Sequence, residues 1–497
     1  MRVGLAQIDA WVGDLEGNVV RCTEAVAEAA GLGAQLVVLP EMAITGPFAR
    51  DLLFDASFVS AAHEALDDLA QRLAGGPSAL VGCAVREGPF LCKAVVLLER
   101  GRIAGYAGQR ELRTDDVFHE RRWFAPSAGS RHLSGDFGRL DCLDPHTLQN
   151  GVGTATVEGN LLVVSAALPF EPGAHTRRVR NARELGRPVV FVNACGAQDE
   201  LVLEGRSFAL GANGRLVASL ARAREQIAVA DLTAEALPAE SEPVWEDEVC
   251  AVLEAGVGGF LRKNHIERAF VGLSGGVDSS VVGALAARAL GPERVVGVAM
   301  PSRFSDPRSL ECARALTGGL GIKLELVPIE SLHAAALELL GKLVAKGTGA
   351  ENLQARLRMV ILMAFVNALG GVVLNTSNKT ELATGYGTLY GDLAGGLSPI
   401  GDLTKPQVYR LARYLKSVGV AIPDFVLTRA PSAELRSGQV DPFDYDRLAP
   451  ELECLVQENR SNGMLAGSEH KRRQGPVVLR VSSKAFGSGR MMPVTRR

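Results

Sequence analysis

The chain has few of the patterns that mark secreted, membrane or metal-stapled proteins. Its eight cysteines (Cys22, Cys83, Cys92, Cys142, Cys195, Cys250, Cys312, Cys454) form no CxxC pair and no metal-ligand spacing in 497 residues. A chain of this size has no need of disulfide staples, so they read as reduced thiols of a cytosolic protein. No apolar stretch approaches the ~18 uncharged residues of a membrane span. The start, MRVGLAQIDAWVGDLEGN, has acids where a signal peptide would be apolar. A cytoplasmic protein without a membrane partner is expected. Nor is there an excess of either charge: 53 Lys+Arg against 56 Asp+Glu leave −3, which disfavours nucleic acid as a partner. Hydrophobic residues at 47% and charged residues at 22% exclude general disorder.

What is present is enough chain for two large domains or three smaller ones, against a usual domain length of ~150 residues. From Met1 to Leu237, apolar β-rich runs (VGLAQI, QLVVLPE, ALVGCAV, AVVLLERGRIAGY, LLVVSAAL, PVVFVNA, IAVADL) alternate with helical stretches such as 18–31. That is the pattern of a layered α/β domain. The Pro- and acid-bearing stretch ALPAESEPVWEDE reads as a linker, giving domains 1–237 and 249–497 joined by 238–248. The second half runs helix (247–263), AFVGL, VVGVAM, KLELVPI and GVVLNT with helices between, which implies a doubly wound parallel sheet.

The most specific feature is LSGGVDSS at 273–280, between the strand AFVGL and the helix VVGALAARAL. Glycines at a strand-to-helix turn let backbone N–H groups approach an anion, and the helix N-terminus adds partial positive charge. Ser274, Gly275, Gly276, Asp278 and Ser279 are therefore candidates for phosphate binding. No Gly-Lys-Ser/Thr follows, so this is not a Walker loop. Asp278 and Glu381 each follow a strand end, where open α/β sheets bind ligands. Two carboxylates there suit Mg²⁺, although either alone could be a helix cap. In 351–369, Leu353, Leu357, Ile361, Ala364, Phe365 and Ala368 recur at helical spacing, so Arg356 need not face the core.

These residues resemble the ATP pyrophosphatase superfamily, and 351–415 together with HKRRQGPVVLRVSSKAFGSGR at 470–490 resemble the NAD synthetase branch of it. The resemblance implies adenylation of deamido-NAD by ATP with Mg²⁺ on Asp278 and Glu381, then amidation by ammonia to give NAD, AMP and pyrophosphate. It gives Thr376 to the ATP site alongside the phosphate loop. Asn352, Arg356, Asn378, Thr388, Lys471 and Lys484 go to deamido-NAD, with His470 near them in the tail. Lys405 would stabilise charge on the transferred phosphoryl, and Asp392 would orient ammonia and help it lose a proton. A homo-oligomer with sites at a dimer interface is implied as well.

The first half resembles the carbon–nitrogen hydrolase (nitrilase) domain that precedes the synthetase in glutamine-dependent members. The carrying lines are RVGLAQIDAWVGDLEGN, LVVLPEMAITGPFARDLLF, DDVFHERRWF and VVFVNACGAQDELVLEGRSF. An αββα sandwich is implied, with a Glu, a Lys and a Cys that release ammonia from glutamine. Glu41 and a second acid, Glu120, match the pattern. Cys142 falls on the nucleophile, but in LDCLDPHT, and the lysine position holds Gln109. The glutamine-binding serine becomes Leu168 and the basic residue after it Ala174, with Arg178 retained. A lost oxyanion donor costs ~10²–10³ in rate, and Asp141 and Asp144 beside Cys142 disfavour a thiolate. The expectation is a glutaminase-dead domain and free ammonia as the nitrogen donor. The alternative is a working glutaminase with an ammonia channel, its lysine displaced or replaced by Arg110.

Overall fold

The computed structural model describes residues 1–150, 159–238, 244–344, 346–458, 471 and 491–497. It divides into two compact units, Met1–Asn264 with Arg480–Arg497, and His265–Leu479.

The first unit holds two six-stranded sheets. One runs in the order Gln226–Asp231, Arg2–Gln7, Leu36–Val38, Ser78–Glu87, Phe90–Glu99, Arg102–Gly108; the other runs Leu216–Ser219, Phe208–Leu210, Val189–Asn193, Leu161–Ala166, Gly138–Cys142, His132–Gly135. Both faces of each sheet are apolar, so the central strands read as near-continuous hydrophobic runs, and the period of two sorts their residues. Val3, Leu5, Leu36 and Leu97 meet Leu140, Cys142, Val163 and Val190 between the sheets. On the outer face of the first sheet, Val37, Val81 and Val96 pack on Leu15–Gly31 and Ala56–Arg72 through Val26 and Leu69. On the outer face of the second, Leu162, Val164 and Phe191 pack on Ala174–Glu184 through Val179. The order is helices, sheet, sheet, helix: the expected αββα sandwich. The run AVVLLERGRIAGY is two antiparallel strands turned at Arg100–Gly101, both at positive φ.

The helix Trp245–Lys263, which the sequence placed at the start of the second domain, packs within the first unit. The Lys263 ammonium is buried there, 2.6 Å from Asp9 Oδ1 and 2.8 Å from the Ala197 carbonyl.

The second unit has a four-stranded, all-parallel sheet in the order Lys323–Leu326, Val295–Ala299, Ala269–Gly272, Val372–Leu374. The first strand in sequence lies between the second and the fourth, so the winding reverses beside it. Ligands bind at such a switch point, outside the carboxyl ends of the strands. The loops that leave Gly272 and Leu374 open there. In the helix Thr348–Leu369 the buried side chains are Gln354, Ala355 and Leu362, while Ala364 and Ala368 of the expected core stripe are exposed. The buried seam lies about one residue to the side of the apolar count, and Val360 and Met363 are left at 59% and 41% exposure.

Candidate active sites

At the switch point of the second unit is a cavity of about 580 Å³, within the ~300–1,000 Å³ of small-molecule sites. Ser274, Gly276, Asp278 and Ser279 line it from the turn after Gly272 and the first turn of the helix that follows, Thr376, Glu381, Thr388 and Asp392 from the segment after Leu374. Asn352, Lys405 and Lys471, also expected there, line it too.

The phosphate loop is built as its glycines require. Gly275 has φ +73°, and a Cβ there would overlap the Ser309 carbonyl oxygen. Gly276 caps the helix Val277–Leu290, its N–H donating to Ser274 Oγ at 3.3 Å. Gly275→Ala combines a disfavoured backbone region with a backbone clash, so it should remove measurable ATP binding by calorimetry. Retention of wild-type affinity would show that the loop does not hold phosphate.

Three charges converge beside this loop. Lys405 Nζ is 2.5 Å from Asp278 Oδ2 and 3.9 Å from Glu381 Oε1. Burial alone would lower the Lys405 pKa, but the two carboxylates outweigh it and hold the ammonium charged. Burial, with Asp278 as like-charged neighbour, pushes Glu381 up to about 8. A divalent cation between two such carboxylates would relieve both effects, so the residues fit Mg²⁺ completed by phosphate oxygens and water. Asn378 is fully buried and fixes the pair: its Nδ2 donates to Asp278 at 2.9 Å, and it forms a capping box with Glu381. Asp392 Oδ1 accepts from the Thr388 N–H at 3.0 Å, and Thr388 Oγ1 donates to Asn352 at 2.8 Å. Enclosure in the wall raises the Asp392 carboxyl. Lys471 Nζ donates to the carbonyls of Gly385 and Gly387 at 2.7 and 3.2 Å.

Some expected residues stand elsewhere. Gly275 and Asn378 support the site from behind its lining. Arg356 is exposed and outside the cavity, its Nε donating to the Leu389 carbonyl, while Arg358, two residues on, lines it. His470 and Lys484 lie outside the described residues. Tyr386, Arg429, Glu434 and Asp441 line the cavity without having stood out in the sequence.

The first unit has a much smaller pocket, about 40 Å³, lined by Glu41, Lys93, Glu120, Ala167 and the aromatic rings of Phe48, Phe118, Trp123 and Phe124. The absence of a lysine inferred from Gln109 does not hold in space. Lys93, on the neighbouring strand, pairs with Glu41 and lies 2.6 Å from Glu120. The strands put it there: the Gln109 N–H donates to the Lys93 carbonyl at 2.8 Å, so the two residues are lateral neighbours. Burial would lower Lys93, yet Glu41 and Glu120 raise it; burial also raises Glu41, against the pull of Lys93. Gln109 donates to the Glu111 carbonyl at 2.7 Å and to Glu120 at 3.3 Å.

Cys142 does not line this pocket. Its strand parity, shared with Leu140, turns it into the core between the sheets, where burial and then Asp141 and Asp144 raise its thiol far above the usual range. Leu143, of opposite parity, packs in the outer core with Phe118 and Leu168. The Leu168 N–H donates to Asn193, and Ala174 is fully buried. Arg178, expected as the retained polar contact, is 0% exposed and pairs with Glu204 at 2.5 Å, away from the pocket.

Among the described residues, no helix is long and apolar enough to cross a membrane.

Comparison with known proteins agrees with both halves. A family model described as carbon–nitrogen hydrolase matches residues 2–239, and one described as NAD synthase matches 249–484. Glutamine-dependent NAD(+) synthetases of Synechocystis sp. and Xylella fastidiosa are 35% and 34% identical, over 99% and 100% of this chain and 98% of each relative. The solved glutamine-dependent NAD+ synthetase of Acinetobacter baumannii, in complex with ADP, superposes with a TM-score of 0.85 at 25% identity, covering 100% of this chain and 98% of that one. The Cytophaga hutchinsonii synthetase, at 19% identity over 96% of this chain and 89% of that one, shares the fold with a TM-score of 0.80. The chain therefore belongs to the NAD synthetase family that joins a carbon–nitrogen hydrolase domain to an NAD synthase domain, and it is a ligase that forms a carbon–nitrogen bond.

Proposed function

We propose that the enzyme makes NAD from deamido-NAD, ATP and free ammonia, and that its first domain has no glutaminase activity. The observation that carries the nitrogen-donor reading is the placement of Cys142, a thiol packed in the core between the two sheets and absent from the lining of the pocket that holds Glu41 and Lys93. A nucleophile must reach the base that activates it and the substrate it attacks. Leu168 stands where the resembled family has its glutamine-binding serine, and its side chain is packed in the outer core with Leu143 and Phe118.

In the second domain, the Gly276 turn and the N-terminus of Val277–Leu290 hold the ATP phosphates. Asp278 and Glu381 would hold Mg²⁺, which supplies positive charge to the phosphates when bound. A carboxylate oxygen of deamido-NAD attacks the α-phosphorus, the bond to the β-phosphate breaks, and pyrophosphate leaves with the electron pair. Lys405 stabilises the charge that grows on the phosphoryl group. Ammonia then attacks the acyl-adenylate and AMP leaves; Asp392, with its raised affinity for a proton, accepts one from the incoming nitrogen. Exposed Arg356, with Val360 and Met363 on the same helix, suits a homodimer in which that face meets a second copy and completes the deamido-NAD site.

Glutamine use is the second reading, favoured by Lys93, which keeps a lysine beside Glu41 after its loss at 109. The two are separated by NAD formation with ATP, Mg²⁺ and deamido-NAD, comparing ammonium chloride with ammonia-free glutamine in the wild type and Cys142→Ala. Turnover with ammonium alone, unchanged in Cys142→Ala, is expected. Glutamine-driven turnover that Cys142→Ala abolishes would overturn the proposal.

A further inference from the structure

Arg429 has no part in the mechanism above, yet it is built into the wall of the synthetase cavity next to the phosphate loop. Its Nη1 donates to Ser309 Oγ at 2.7 Å and to Glu434 Oε1 at 2.8 Å. Ser309 Oγ itself reaches Glu434 Oε1 at 2.7 Å, so the three groups close a ring. All three line the cavity, and the Arg429 side chain is only 13% exposed. The ring fixes one edge of the guanidinium and turns another toward the loop: Nη2 stands 3.9 Å from the point a Cβ on Gly276 would occupy. The Phe425 ring lies 5.5 Å from the guanidinium carbon and backs it with an apolar surface. Ser309 also ties this cluster to the loop, since its carbonyl excludes any side chain at Gly275.

A guanidinium held by one serine and one carboxylate, with its free edge aimed over an anion-binding turn, has the geometry of a phosphate clamp. The position matters for adenylation. When the α–β bond breaks, negative charge accumulates on the departing pyrophosphate, and a cation already in place needs no reorganisation to meet it. We infer that Arg429 binds the β- and γ-phosphates of ATP and stabilises the pyrophosphate leaving group, with Ser309 and Glu434 as positioning residues. This rests on the phosphate-loop reading above.

The test measures binding of ATP, pyrophosphate and AMP to the full-length enzyme by calorimetry, with a thermal melt as the folding control. Loss of a charge-assisted contact predicts that Arg429→Ala weakens ATP and pyrophosphate by ~10–100-fold. AMP, which lacks the β- and γ-phosphates, should bind as in the wild type. Arg429→Lys should recover only part of the loss, because an ammonium cannot span Ser309, Glu434 and a phosphate together. An equal loss for all three ligands would show a merely structural role, and unchanged affinities would show that Arg429 does not reach phosphate; either overturns the inference. If Gly275→Ala also leaves ATP binding unchanged, it is the phosphate-loop reading that has failed.

Discussion

Lys405→Met should lower kcat for NAD formation by ~10²–10³, with a smaller change in KM for deamido-NAD. The lysine is fixed before any substrate arrives, 5% exposed and 2.5 Å from Asp278, so its charge acts from an enclosed site where little water screens it. Its removal takes away the side-chain cation that, among the described residues, pairs with Asp278 and Glu381. Glu381, already pushed up to about 8, then becomes harder still to ionise. Steady-state kinetics at saturating Mg²⁺ check this, and a kcat within threefold of wild type would remove Lys405 from the chemistry.

The second large effect belongs to stability. Lys93→Met should destabilise the first domain by about 3–5 kcal/mol, because it leaves Glu41 and Glu120 enclosed together without their shared cation. Their side chains are 10% and 5% exposed, so water screens them poorly. Replacing all three charges together, as Lys93→Met with Glu41→Gln and Glu120→Gln, should recover most of that loss. Urea unfolding of the full-length chain reads both. A single variant as stable as the wild type would show that the trio is not a stabilising ion pair. On the proposed division of labour, ammonium-driven synthesis at a temperature below the first melting transition is unaffected.

What the sequence made legible depends on whether one residue or two separated segments had to be placed. LSGGVDSS carries its own geometry, strand then turn then helix, and the cavity forms where that turn meets the loop after Leu374. The alternation of apolar runs likewise carried both domains, because a sheet covered on both faces leaves a nearly continuous hydrophobic strand. The Lys93–Gln109 relation was hidden. Sixteen residues apart in sequence, they are lateral neighbours only once the strands Phe90–Glu99 and Arg102–Gly108 pair, so a charge moved from one strand to the next reads as a loss. Cys142 was hidden for a different reason. Counting along the chain puts a thiol at the right distance from Leu161, but it does not show that the thiol packs between the sheets beside Leu140 and Val163 instead of lining the pocket. Arg429 offered no signal at all, since the Ser309–Glu434 ring that aims it comes from segments 125 residues apart.

On the proposed reading, this chain makes NAD while its amidase domain supplies no nitrogen. The most direct measurement is a competition: ATP, Mg²⁺ and deamido-NAD with amide-¹⁵N glutamine and ¹⁴N ammonium at equal concentration, followed by the mass of the NAD formed. NAD carrying only ¹⁴N in its amide is expected, in wild type and Cys142→Ala alike. Substantial ¹⁵N incorporation by the wild type, lost in Cys142→Ala, would contradict it and make Lys93 the working lysine of an intact glutaminase.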